Sequence, residues 1–187
     1  MRRSVVPPAL LAGLLIAALP LGDAPATAAA PPLVQRLISA SQASKLGFPK
    51  VAKKATSSHK TGVKTCHTGA EVAYQENGHP VGLVAEVFTC NSPAAAKSVL
   101  TIYERTYEPT ATLPPPAVLG KSAVGSATAA PLYVFFWTRG SFVGFVGVDT
   151  DAASTKAQYE VHLRDPRTPA ELSALEQAAV EENAKLG

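Results

Sequence analysis

Alternation of apolar and polar residues predicts a β-hairpin in the first half of the chain. The alternating segments cover residues 63–76 and 80–90, and Asn77-Gly78 lies between them. Asn-Gly is typical of two-residue hairpin turns, because both central residues of a type I′ turn need a positive φ. We therefore expect the residues on either side of this dipeptide to pair directly across the hairpin.

The only two cysteines of the chain, Cys66 and Cys90, bracket this hairpin. With Asn77-Gly78 as the turn they come one residue out of register, and a bulge at Gly69 is expected to bring them opposite each other. We predict a Cys66–Cys90 disulfide rather than two free buried thiols. One disulfide is typical of an exported chain with two cysteines.

A second hairpin is predicted to join residues 132–138 to residues 141–149 through Arg139-Gly140. In this register Trp137 pairs with Phe142. Both faces of the two strands are apolar, so we expect central strands of a sheet. They are either covered on both sides, or covered on one side and open to a ligand on the other.

Half of the large aromatic residues of the chain lie in this second hairpin. Tyr133, Phe135 and Trp137 occupy every second position, so they share one face of the predicted strand. Core packing is the simplest interpretation. The alternative hypothesis is an apolar ligand cleft that these three residues line.

Capping residues and helical spacing predict the first two helices. Ser39 and Gln42 form a capping box, and Gly47 supplies the left-handed residue that ends the first helix. The second helix follows Asn91-Ser92-Pro93, with proline at its first position, and runs through Tyr107.

The closing helix is predicted to begin at Thr168-Pro169-Ala170-Glu171, which combines a capping box with proline at the first helical position. Its expected core residues are Leu172, Leu175, Ala179 and Leu186. Its acids are expected to face water: Glu171, Glu176, Glu181 and Glu182.

One further alternating segment, 157–164, predicts a half-buried strand before the closing helix. The elements therefore follow the order helix, hairpin, helix, hairpin, strand, helix. This order predicts an α+β fold with an antiparallel sheet of about five strands, in two hairpins plus one strand, packed by about three helices and stapled by one disulfide.

Two polar or Pro-rich stretches are predicted to be irregular. Residues 45–64 contain six lysines and no acid, which indicates either a patch for anionic cell-wall polymer or lipid headgroups, or a solvated loop. We favour the loop, because no arginine is interleaved and Phe48, near its start, is its only Phe, Tyr or Trp. Residues 110–116 are expected to form a stiff, extended connection.

The start of the chain has the pattern of a secretory signal peptide. Arg2-Arg3 precedes an apolar run, 9–21, and small residues follow. Cleavage after Ala28 fits best, and Ala26 and Ala30 are alternatives. An uncleaved membrane anchor is disfavoured, because a span needs roughly 20 apolar residues.

The chain is therefore divided into a signal peptide, 1–30, and a single secreted α+β domain, 31–187, with no membrane span after cleavage. The net charge of the whole chain is only +3 at pH 7, which indicates no nucleic acid partner.

Candidate chemistry in the chain is sparse. The four histidines, His59, His67, His79 and His162, show no metal-ligand spacing, and we expect no metal, cofactor or catalytic activity. The segment Gly120-Lys121-Ser122 resembles the end of a phosphate-binding loop, but that motif needs a glycine where this chain has Pro115.

Several short segments resemble small exported α+β domains and lipoproteins of actinobacteria. These segments are Leu46-Gly47-Phe48, FTCNSPA at 88–94, LGKSAVG at 119–125 and YVFFWTRGSFVG at 133–144. Some of those proteins have a PsbP/Mog1-like fold, and similar modules are extracellular sensor domains of receptor kinases. The resemblance covers about residues 35–186 and implies a non-catalytic envelope or extracellular domain. The chain lacks the lipobox cysteine of the lipoproteins and the membrane helix of the receptors.

The leading hypothesis is a secreted, non-catalytic binding or accessory module of the cell envelope or extracellular space. Its ligand would be an apolar small molecule or an envelope component, and its contact surface the aromatic hairpin with residues 109–117. One alternative is a secreted protein–protein interaction protein or inhibitor, which an uncovered apolar patch would support. The other is a secreted hydrolase, which would need His67 or His162 beside an acid.

Overall fold

The computed structural model describes residues 32–59, 64–77, 81–106, 109–128, 132–150 and 168–187. The predicted signal peptide and the predicted strand 157–164 lie outside these residues, as does Gly78 of the first predicted turn.

Among the described residues, seven strands form one sheet in which every neighbouring pair is antiparallel. They are β1 (Lys50–His59), β2 (Cys66–Gln75), β3 (Val81–Cys90), β4 (Pro109–Leu113), β5 (Val124–Thr128), β6 (Leu132–Arg139) and β7 (Phe142–Thr150). Their order across the sheet is β1-β2-β3-β7-β6-β5-β4. Two meanders, β1 to β3 and β4 to β7, therefore meet along the β3–β7 pair.

Helices cover both faces of this sheet. The described helices are the single turn α1 (Leu33–Arg36), α2 (Ala40–Lys45), α3 (Pro93–Thr106) and α4 (Thr168–Leu186), and a 3₁₀ helix spans Ala117–Leu119. One face of the sheet packs against α3, and the other packs against α1, α2 and α4. None of the helices in the described ranges has the length and apolar character that crossing a bilayer requires.

The α+β prediction, with an antiparallel sheet and one disulfide, is confirmed, but the sheet has seven strands rather than about five. Within the described residues, two of the unpredicted strands, β1 and β4, are the sheet edges, and β5 lies next to an edge. The lysine-rich stretch predicted as a loop contains β1. Lysines are common on edge strands, because they oppose pairing with another chain. In β1 they take positions that apolar residues would occupy in an alternating strand pattern, so the sequence did not indicate a strand.

The predicted caps of the first two multi-turn helices are present. The Ser39–Gln42 capping box is formed at the start of α2. At its end Gly47 has φ 98°, and the Phe48 amide donates to the Ala43 carbonyl at 2.9 Å. This bond is the long hydrogen bond of a Schellman motif. At α3 the Ser92 hydroxyl accepts from a backbone amide of the first turn, before the proline-initiated helix.

Both hairpins are displaced by two residues from the predicted register. Trp137 pairs with Gly144, not with Phe142, and the second turn is Gly140-Ser141. Gly140 has φ 57°, and a glycine at the first central position is the feature of a type II′ turn. Since side chains alternate with a period of two, this error leaves every residue on its predicted face.

The bulge that aligns the cysteines lies between Cys66 and Thr68, not at Gly69 as predicted. Cys66 pairs with Cys90, and the two sulfurs are bonded. Because strand residues alternate between faces, the extra residue moves Cys66 onto the face covered by α3, where Cys90 and Phe88 also lie.

The central strands β3, β7 and β6 bury side chains on both faces. On the α3 side, Tyr103 lies among three rings, with centroid distances of 6.2 Å to Phe88, 5.9 Å to Phe136 and 5.9 Å to Phe145. Such tilted aromatic contacts stabilise beyond the area that they bury. The opposite side holds the larger cluster, which contains the inner face of α4.

Replacing both cysteines, Cys66→Ser with Cys90→Ser, should lower the free energy of unfolding by about 3 kcal/mol, because the disulfide closes a loop between residues 24 positions apart. Denaturant unfolding with and without reductant checks this expectation. Reductant should bring the wild-type protein to the stability of the variant and leave the variant unchanged. A variant as stable as the oxidised protein would contradict it.

Candidate functional site

The three aromatic residues of the proposed cleft lie in the core. Tyr133, Phe135 and Trp137 share one face of β6 and pack in the cluster beneath α4, and Trp137 has no exposed surface. None of them lines any of the three pockets described below. A ligand would reach them only after α4 moved, so binding at these residues stays a hypothesis.

Gly144 is required by the close packing of Trp137 against β7. The two residues are direct cross-strand partners. A Cβ atom at position 144 would overlap the indole ring. The glycine therefore lets the ring lie against the neighbouring strand, which is the usual reason for glycine inside a strand.

The C-terminal end of α4 is bound by arginines from two other elements. Arg36 donates to the carbonyls of Lys185 at 3.2 Å and Leu186 at 3.3 Å, and Arg139 donates to the carbonyl of Asn183 at 3.1 Å. The last carbonyls of a helix have no intrahelical partner and carry partial negative charge, so cations are favourable there.

Lys185 completes this contact, and we call Arg36, Arg139 and Lys185 together the C-terminal clasp. The Lys185 ammonium donates to the Leu37 carbonyl at 2.6 Å and to Oε1 of Gln42 at 2.7 Å. Burial lowers the pKa of Lys185 from its ordinary value, although nearby carboxylates oppose the shift. The clasp thus ties the end of α4 to α1, α2 and β6.

Glu182 lies on the inner face of α4 and has no exposed surface, so the prediction that it faces water was wrong. The same holds for Glu171, which is 6% exposed. The physical reason is helical spacing. Glu182 follows Leu175 and Ala179 and precedes Leu186 at intervals of three and four residues, so it shares their face of the helix.

The surroundings of Glu182 disfavour its charged form. Burial raises the pKa of the Glu182 carboxyl well above its ordinary value, and Glu86 of β3 adds to the shift. The charge of Lys185 and the backbone amide of Ile38 lower the same pKa, but they do not overcome the burial.

A separate, open groove of about 390 Å³ lies between α3 and the turn that follows the 3₁₀ helix, and we call it the α3 groove. Its lining residues are Lys97, Leu100, Thr101, Glu104, Lys121 and Ser122. They bring two ammonium groups, two hydroxyls and one carboxylate around a buried leucine.

The helix side of the α3 groove follows from residue spacing. Lys97, Thr101 and Glu104 are separated by four and three residues, so they lie on one face of α3. Within the described part of the chain, the Lys97 ammonium makes no ion pair or hydrogen bond. Its charge is therefore available to a ligand.

The turn side of the groove is held by hydrogen bonds. The Ala123 amide donates to the Gly120 carbonyl at 3.1 Å, and this bond places Lys121 and Ser122 at the centre of the turn. The Ser122 hydroxyl lies 3.3 Å from the hydroxyl of Thr138 on β6. The Lys121 ammonium, like that of Lys97, has no partner among the residues that the structure describes.

Two further pockets adjoin α4. One has a volume of about 160 Å³ and is lined by Leu46, Gly47, Phe48, Glu76, Ala170, Glu171 and Ala174. The other, of about 360 Å³, is lined by Pro116, Glu176, Gln177, Val180 and Glu181. Val180 is 38% exposed and Val118, on the adjoining 3₁₀ helix, is 59% exposed, so this second pocket has an apolar margin.

The described residues test only part of the prediction that the chain binds no metal. In the described ranges, no group of three or more His, Cys, Asp or Glu residues is placed to hold a metal ion. His79 and His162 lie outside those ranges. His59 belongs to β1 and His67 to the bulged start of β2, but the described structure does not extend to their side chains.

No protein family, curated protein or solved structure matches the chain. The residues of the α3 groove carried no local sequence signal, because Lys97 and Lys121 belong to elements far apart in the chain. Glu182 did carry a signal, namely its spacing from Leu175 and Leu186 on one helix.

Replacing the buried tryptophan, Trp137→Ala, should lower the free energy of unfolding by about 3–5 kcal/mol, because it leaves a cavity beneath α4. The matched control Val118→Ala removes an exposed side chain and should change stability by less than about 0.5 kcal/mol. Denaturant unfolding monitored by circular dichroism checks both variants. A Trp137→Ala protein of wild-type stability would contradict the core assignment and favour the ligand cleft.

Proposed function

We propose that the chain is a secreted, non-catalytic binding or accessory module of the cell envelope or extracellular space, and that it binds a small anionic, hydroxyl-bearing ligand in the α3 groove. The observation that carries the binding role is the pair of ammonium groups, on Lys97 and Lys121, that face one groove without partners among the described residues.

The charges of the groove indicate the class of ligand. Two ammonium groups from separate elements favour an anionic group between them, and hydrogen bonds to charged donors are stronger than neutral ones. With the carboxylate of Glu104 counted against the two lysines, the groove has a net charge of +1. This charge fits a single phosphate or carboxylate better than a polyanion. The hydroxyls of Thr101 and Ser122 can exchange hydrogen bonds with ligand hydroxyls.

The disulfide supports the proposed location. Disulfides persist in oxidising compartments and are rare in the cytosol. Cys66 and Cys90 are bonded within the described structure, and no free cysteine remains in the described residues. This argument is independent of the predicted signal peptide, so the two observations support secretion separately.

The apolar pocket beside α4 favours a second candidate, a secreted protein–protein interaction protein. Val180 and Val118 are exposed next to Pro116, and an apolar surface with a polar margin is the usual form of a contact site. Glu176 and Glu181 border this pocket, so a partner with a basic residue beside an apolar one would fit it.

Replacing both groove lysines, Lys97→Ala with Lys121→Ala, should weaken binding of glycerol 3-phosphate by about tenfold for each lysine, because each removes one charge-assisted hydrogen bond. Titration followed by amide chemical shifts measures the affinity and shows which residues respond. Inorganic phosphate serves as the second probe, and weaker binding of phosphate would show that the hydroxyls contribute.

The control variant Lys50→Ala with Lys54→Ala removes two exposed lysines of the edge strand β1. It makes the same change in net charge and should bind glycerol 3-phosphate as the wild-type protein does. Equal binding by both double variants would show that the α3 groove is not the site.

Protein recovered from the culture medium of its native host should begin close to Ala29 and be two hydrogens lighter than the reduced chain. Mass spectrometry under denaturing conditions measures both. A native spectrum of the same sample would show a small retained ligand, or a heavier complex in the case of the protein–protein candidate. A chain that keeps residues 1–30 and stays with the membrane fraction would contradict secretion.

A further inference from the structure

The inner face of α4 brings a carboxylic acid into the apolar layer beneath this helix. Glu182 has no exposed surface, and its helical neighbours Ala178, Ala179 and Leu186 belong to the cluster that contains Trp137. Among the described residues, neither Oε1 nor Oε2 of Glu182 has a hydrogen-bond partner within ordinary distance and angle limits, although the nearby Ile38 amide lowers the pKa of this carboxyl. A buried carboxylate in such surroundings is costly, whereas the neutral acid is tolerated.

The neighbouring cations are bonded to other acceptors. The Lys185 ammonium, three residues further along α4, donates to a carbonyl of the α1–α2 segment and to Gln42. Arg36 of α1 and Arg139 of β6 donate to backbone carbonyls at the end of α4. The C-terminal clasp therefore holds the helix end, and within the described part of the chain Glu182 has no ion pair.

The remaining titratable groups of the packed elements do not compensate a charge on Glu182. They include Glu171 and Glu181 on α4, Glu86 on β3, Tyr133 on β6, and Tyr74 on β2, whose hydroxyl donates to the Ile38 carbonyl at 2.9 Å. The 3₁₀ helix and residues 142–148 of β7 carry no charged side chain. Glu86 lies on the α3 side of β3, since Ala85 and Val87 belong to the cluster beneath α4, but its charge still raises the pKa of Glu182. These acids and phenols supply no positive charge to Glu182.

We propose that the docking of α4 on the sheet is controlled by a proton on Glu182: the protonated helix covers the aromatic face of β6, and ionisation loosens the helix and admits solvent to that face. This proton-controlled docking of α4 is independent of the α3 groove, which lies on the opposite side of the sheet.

The sign of the pH dependence follows from the direction of the pKa shift. The pKa of Glu182 is raised well above its ordinary value of 4.5 in the docked state, so the docked state holds a proton that the open state releases. The free energy of docking is therefore fully present below that ordinary value and falls as pH rises through the pKa of the docked state. The lowered pKa of Lys185 has the opposite sign, since it makes docking more favourable as pH rises.

Trp137 is the only tryptophan of the chain and lies in the layer that α4 covers, so its fluorescence reports the opening. Acrylamide quenching of the intact mature protein, from Ala29 to Gly187, should increase at least about twofold between about pH 4 and about pH 8. In Glu182→Gln, which keeps the shape of the neutral acid, quenching should stay at the low-pH level throughout. Glu176→Gln, an exposed change on the same helix, should behave like the wild-type protein.

Hydrogen exchange distinguishes local release from unfolding of the whole domain. In the wild-type protein the α4 amides should lose protection as pH rises, beyond the intrinsic change in exchange rate, while β2 and β3 amides keep theirs. Glu182→Leu provides a second variant if Glu182→Gln does not fold. The proposal is overturned if either folded variant keeps the pH dependence of the wild-type protein, or if the sheet amides lose protection together with α4.

Discussion

Burial of both faces of the central strands is the constraint on which the structure depends. Strands β3, β7 and β6 are apolar on each side, so a sheet with one open face would expose large aromatic residues to water. The fold therefore needs two covers, and the chain supplies α3 between the two meanders and α4 after the second. The single-turn α1 and the helix α2 extend the cover on the α4 side.

The two covers differ in chemistry. The α3 cover packs Tyr103 among three rings, in the cluster that also contains the disulfide. The α4 cover is held at its end by the C-terminal clasp and contains Glu182 within its apolar stripe. The α3 groove therefore lies on one cover of the sheet, whereas the proposed proton-controlled cover, α4, lies over Tyr133, Phe135 and Trp137 on the other face.

Local signals predicted much of the fold. Short-range hydrogen bonding determines a capping box such as Ser39–Gln42 and a glycine stop such as Gly47, so both were visible in the sequence. The strand register was harder to predict. The turn preferences of Asn77-Gly78 and Arg139-Gly140 are weighed against the pairing of side chains along the whole strand, and the pairing decided the register. The edge strands were missed, because a strand that pairs with only one neighbour needs fewer buried apolar residues and so shows a weak alternating pattern. The α3 groove joins residues of distant elements, so no local pattern could reveal it.

The β3–β7 pair, which joins the two meanders, sets an order on folding. Strands within each meander pair through short connections, whereas β3 meets β7 only after α3 and three further strands have been made. Pairing at such distance is slow, and until it forms β3 keeps an apolar edge unpaired. Cys66 and Cys90 both belong to the first meander, so their oxidation does not wait for the sheet to close. In an oxidising compartment the disulfide can therefore fix β2 against β3 early, and the second meander then assembles on a template whose register is already locked.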